Sequence, residues 1–73
     1  MNIEQLKKKI PHGGMKAIAK RSKIHYITII SFFNGKKTLS ERLETKILTA
    51  TAEYLEDLKK QKNNALERLN AIN

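Results

Sequence analysis

Two histidines, His12 and His25, are the side chains in this sequence best suited to proton transfer or metal ligation. Neither has a cysteine or a carboxylate at ligand spacing, and the chain contains no cysteine at all. Thiolate sites and disulfides are therefore excluded, and no metal centre is expected. No Ser-His-Asp order is present, and no glycine-rich loop precedes a Lys-Ser/Thr pair. Gly13-Gly14 reads as a turn rather than a phosphate cradle. The sequence thus argues against an enzyme and predicts neither a cofactor nor a small-molecule ligand.

The chemistry that remains is cationic. The formal net charge is +8, from fifteen Lys/Arg against seven acids. Residues 1–38 carry nine Lys/Arg and the single acid Glu4, so the whole excess lies there. Residues 39–73 carry six of each sign and are neutral overall. A basic field concentrated in one half of a chain suits a polyanion, either nucleic acid or an anionic membrane surface.

Those cations must be positioned by a small scaffold. Seventy-three residues make one domain near the lower size limit for a self-sufficient core, where a partner subunit is a common support. No apolar run approaches a membrane span, and Met1-Asn2-Ile3-Glu4 is too polar to begin a signal peptide. With no cysteine, the chain suits a reducing, cytoplasmic setting.

The pattern predicts an all-α fold of three short helices and one long C-terminal helix. Asn2 with Gln5 has capping-box spacing, and Ile3, Leu6 and Ile10 recur helically until Pro11 stops the run. A second helix runs from Gly14 or Met15 to Arg21 or Ser22. Met15, Ile18 and Ala19 share one face of it, with Lys16, Lys20 and Arg21 pointing away. The third segment begins near His25 and ends at Asn34-Gly35, a left-handed stop. Its composition (Ile27, Thr28, Ile29, Ile30, Phe32, Phe33) also suits a strand. The helical flanks and the Asn-Gly stop favour a helix. Thr38 and Ser40 both offer N-caps for the last helix, and Thr38 with Glu41 has capping-box spacing. That helix would run about 34 residues and ~50 Å. Leu43, Ile47, Tyr54, Leu55 and Leu58 can pack on the head, and the polar run from Lys59 to Asn64 marks where that support ends.

Around Ala19 the spacing is specific. Two helices crossing about a three-residue turn need a small residue at the contact, here Ala19, preceded by an apolar one, Ile18. Ile24 closes the turn, and Ile29 and Phe32 stand ten and thirteen residues after Ala19, where the second helix must bury side chains. The run from Ala19 to Ile29, followed by Phe32-Phe33-Asn34-Gly35-Lys36-Lys37, resembles the headpiece of the lactose-repressor family and the wider lambda-repressor and Cro-like group. Ser40 to Leu48 is similar to the next helix of that headpiece. The resemblance covers Met15 to Leu55, with residues 3–10 as an additional leading helix. It departs from the family pattern at Lys23, where the turn usually has Gly, and at His25, where Ser or Thr usually caps the helix.

The resemblance implies double-stranded DNA as partner and a role as a small transcriptional repressor or Cro-like regulator. With no ligand-binding domain following, a phage or mobile-element type fits better than an inducer-responsive repressor. Base reading would fall to Tyr26, Ile27 and Ser31, with Ile30 adjacent. Tyr26 can hydrogen-bond, and Ile27 can meet a thymine methyl. These residues lack the bidentate chemistry of Arg, Gln and Asn, so discrimination would be modest or partly indirect. Phosphate contacts would come from Lys16, Lys20, Lys23, Lys36 and Lys37, with Thr28 and Asn34 as neutral donors. Ile27 and Ile30 have a structural alternative, as core residues around a central helix. The rival function is a protein-interaction adaptor that presents Ile27 and Ile30 to a partner without binding DNA. Membrane-surface binding is disfavoured by the neutral C-terminal half.

That half has its own pattern. Leu48, Thr51, Leu55, Leu58, Lys62, Ala65, Leu69 and Ile72 alternate by three and four residues, as a short coiled-coil seam does. Residues 1–58 are therefore read as the DNA-binding head. Residues 59–73 extend the last helix, and Leu55, Leu58, Ala65, Leu69 and Ile72 would pair with a second copy in a homodimer.

Overall fold

A computed structural model describes residues 2–36 and 38–72. They form four helices, α1 (Ile3–Lys9), α2 (Gly14–Ser22), α3 (Tyr26–Phe33) and α4 (Glu41–Ile72), with no strand among the described residues. The all-α expectation holds in element number and order. No helix among the described residues is long and apolar enough to cross a membrane.

Each boundary has a local cause. The Gln5 N–H donates to Asn2 Oδ1 (2.8 Å) and the Asn2 N–H to Gln5 Oε1 (3.4 Å), completing the capping box of α1. Ile10 leaves the helix with φ −84° and ψ 118°, the extended geometry that Pro11 imposes on its predecessor. At the other end of α3, Gly35 takes φ 70°. Its N–H donates to the Phe32 carbonyl (3.1 Å) and the Lys36 N–H to the Ser31 carbonyl (3.0 Å). These two bonds form a Schellman stop, which glycine permits at no steric cost. Of the two possible caps for α4, Ser40 is used. Its hydroxyl accepts the Leu43 N–H (3.4 Å) and its carbonyl the Glu44 N–H (3.0 Å). Thr38 stands outside the cap, because Glu41 is already the first helical residue.

The connection between α2 and α3 is three residues long, Lys23 to His25. Ser22, which is buried, organises it. Its hydroxyl donates to the Ile18 carbonyl (2.8 Å) and accepts the Ile24 N–H (3.3 Å). Lys23 then turns the chain at φ 59°, a left-handed conformation that costs a non-glycine residue about 1–2 kcal/mol.

Ile18, Ile29, Phe32, Phe33, Ile47 and Ala50 form the core, with Met15, Ala19, Ile24 and Tyr54 among the side chains packed around it. Phe32 and Phe33 meet edge to face at 5.2 Å between centroids. α2 packs on both α3 and α4, and α1 lies on α3. Of the α4 residues expected on the head, Ile47 is buried in the core and Tyr54 packs against it; Tyr54, Leu43, Leu55 and Leu58 are all half-buried. The extents are 50 × 22 × 18 Å. α4 alone, at 32 residues, spans about 48 Å. Its last stretch, Lys59 to Ile72, is exposed at every position.

Candidate nucleic-acid interface

α3 buries Ile29, Phe32 and Phe33 along one side. Helical spacing then turns Ile27, Ser31 and Asn34 to the opposite side, one above the other. Ile27 is 65% exposed and Tyr26 38%. Ile27 is therefore a surface residue and not part of the core, while Ile30, Ser31 and Thr28 are half-buried. Of the four expected base readers, Tyr26 and Ile27 stand clear at the start of the helix. Ile30 and Ser31 lie lower on it.

The helix start is held by an unexpected cap. His25 adopts φ −56° and ψ 137°, and its Nδ1 accepts the Ile27 N–H at 3.2 Å. An imidazole nitrogen thus does what a Ser or Thr oxygen usually does, in its neutral form with a lone pair on Nδ1.

Lysines bracket this exposed face at both ends. The Lys16 Nζ lies 5.9 Å from the centre of the Tyr26 ring, a cation–π arrangement that joins α2 to the first turn of α3. At the far end the Lys7 ammonium donates to Asn34 Oδ1, tying α1 to the end of α3. The amide nitrogen of Asn34 is the group then left to donate outward. Lys7 and Lys16 also rim an open recess of about 420 Å³ between the α1–α2 turn and Tyr26, floored by Ile10 and Met15. Lys20, Lys23 and Lys36 are exposed, at the α2 surface, the α2–α3 turn and just past α3 respectively. Lys37 lies outside the described residues.

One cation on the outer side of α2, still exposed, finds a partner on another helix. Arg21 pairs with Asp57 of α4 and sits 6.0 Å from the centre of the Tyr54 ring. It fastens α2 to α4 and is spent structurally. Nothing in the local sequence signals this contact, because its partners lie more than thirty residues downstream. Lys7, by contrast, gains a place at the interface by its contact with Asn34.

Among the described residues, no group of three His, Asp or Glu side chains gathers as a metal site. No family model, curated protein or solved structure matches this chain.

Proposed function

We propose that this chain is a sequence-preferring double-stranded DNA-binding regulator, in the manner of a small transcriptional repressor or Cro-like protein. The observation that carries the reading is the outward face of α3. A short helix buries one side on the core and presents Tyr26, Ile27 and Asn34 on the other, with Lys7 and Lys16 at its two ends. A helix of this size fits the major groove. The lysines on α1, α2 and the turns would sit over the flanking phosphates, which fixes register without reading sequence. Tyr26 would hydrogen-bond a base edge and Ile27 would pack on a thymine methyl. No Arg or Gln stands on that face, so much of the preference would come from duplex shape.

Fluorescence anisotropy with labelled duplexes at several salt concentrations tests this. The observed constant should fall with a log-log slope of about −0.9 per neutralised phosphate. Replacing Lys16 by Gln should reduce the slope by about that amount, since one contact is lost. The double variant Lys20→Glu/Lys36→Glu should abolish binding while the helical signal and melting temperature stay close to the parent's. Failure of the parent protein to bind any duplex at low salt would overturn the proposal. That outcome would favour an adaptor using the exposed Ile27 as a protein contact.

A further inference from the structure

The face of α4 that packs on the head does not end where the head ends. Ile47, Thr51 and Tyr54 point into the molecule. Continuing by threes and fours, the same side of the helix carries Leu58, Ala65, Leu69 and Ile72. Beyond Leu58 nothing covers it. Leu69 is 59% exposed and Ile72 79%, and Leu66 beside them is 49% exposed. Fourteen residues of helix thus project without tertiary support, a length that is marginal in water on its own. Upstream the seam is closed, because Thr51 is fully buried and its hydroxyl donates to the Ile47 carbonyl.

We infer that residues 55–72 of α4 pair antiparallel with the same segment of a second copy. Two properties of the segment select this occupant. The first is its pattern, which is complementary to its own reversal. In the antiparallel register Leu55 meets Ile72, Leu58 meets Leu69 and Lys62 meets Ala65. Each pair occurs twice about a two-fold axis, as an isologous interface requires. The Lys62 stem lies over a small residue and its ammonium reaches water. In parallel register Lys62 would face Lys62 in an interior layer, with Ala65 against Ala65 leaving a gap below.

The second property is charge. Residues 55–72 carry four Lys/Arg and three acids, so two copies can approach with little repulsion. The heads cannot, because residues 1–38 hold the whole excess of +8. Parallel pairing sets two such heads side by side. Antiparallel pairing places them at opposite ends of the overlap, with about 16 Å of helix between the edge of one head at Leu58 and that of the other, about two Debye lengths (about 8 Å each) at physiological salt.

This inference does not rest on the DNA reading, and its test uses no nucleic acid. Sedimentation velocity on the full chain from 1 to 100 µM, concentrations chosen to span weak and tight pairing, should show a monomer–dimer equilibrium. Leu69→Lys should weaken it by at least 100-fold with the head's melting temperature unchanged, since Leu69 touches nothing in the head. The chain has no cysteine, so Arg42→Cys, at an exposed position of α4, gives one unique spin-label site. In the antiparallel pair the two labels lie far from the two-fold axis, with an axial offset of about 65 Å. In a parallel pair they stand at the same level, separated only by the width of the pair. A monomer at 100 µM, a dimer indifferent to Leu69→Lys, or the short label distance would each overturn the inference. The first of these outcomes would hand the stripe to a different occupant, such as another protein's helix or a vesicle surface.

Discussion

Replacing Gly14 by Ala sets two effects against each other at a single atom. In an exposed helix interior the change stabilises by about 1 kcal/mol, because Ala is the best helix former and Gly loses the most backbone freedom. Gly14 is the first residue of α2, so only part of that gain applies. Against it stands close approach. A Cβ at Gly14 would lie 2.5 Å from Ile10 Cγ2, 3.0 Å from Tyr54 Cε2 and 3.3 Å from the Tyr54 hydroxyl. Ile10 is β-branched, with restricted side-chain torsion, and sits at the bend before Pro11. Tyr54 is packed against the core and lies under the Arg21 guanidinium. Neither neighbour can retreat freely, and overpacking of this kind costs about 1–3 kcal/mol.

The clash wins. Gly14→Ala should destabilise the fold by about 1–2 kcal/mol, lowering the melting temperature by roughly 4–16 °C for a domain of this size. Thermal and urea unfolding followed by circular dichroism at 222 nm measure it. Ile10→Ala removes the nearest methyl, so in that background the same Gly14→Ala change should cost less or turn favourable. The coupling in the resulting double-mutant cycle should exceed about 1 kcal/mol, beyond the ~0.5 kcal/mol expected of independent sites. If Gly14→Ala instead raises the stability of the parent chain, the junction of α1, α2 and α4 is looser than described and the reasoning fails.

Other expectations concern the turn and α3. Lys23→Gly relieves a left-handed residue at φ 59° and should raise the urea midpoint by the equivalent of about 0.5–1 kcal/mol; no gain would mean that the turn is unstrained. Ser22→Ala removes the acceptor of the half-buried Ile24 N–H and should cost about 0.5–1.5 kcal/mol, with faster hydrogen exchange at that amide. Ile29→Ala, at a fully buried site, should cost about 2–5 kcal/mol. Ile27→Ala, two residues earlier but exposed, should stay within about 0.5 kcal/mol of the parent in stability and reveal itself only in duplex selectivity.

The third helix shows what the sequence could and could not reveal. Its β-branched and aromatic composition fits a strand, while its helical flanks and the Asn34-Gly35 stop favour a helix, and a helix is what forms. The buried trio Ile29, Phe32 and Phe33 follows from helical spacing. The local signals (Asn2 with Gln5, Pro11, Gly35) were legible because each acts on its immediate neighbours. Contacts across the fold were not. Arg21 with Asp57, Lys7 with Asn34 and Gly14 beneath Tyr54 join residues 27 to 40 positions apart, and no periodicity encodes which surface cation will find a partner. The same limit applies to the candidate interface. Its helix and most of its lysines could be named in advance, but the clamp of Lys7 and Lys16 at the two ends of α3 required the packing of α1 and α2.

Under the two proposals, salt acts on the two halves of this chain in opposite ways. Contacts between lysines and phosphates release counterions on binding, so each one weakens as salt rises. Pairing through Leu58, Leu69 and Ile72 is apolar, and salt screens what repulsion the basic heads exert on one another. A chain that leaves its duplex at high salt while remaining dimeric would locate the two activities on separate surfaces. Dissociation of both together would mean that DNA holds the two copies in place and that the exposed stripe on α4 contributes little by itself. The charge asymmetry between residues 1–38 and 39–73 is what makes the first outcome the expected one.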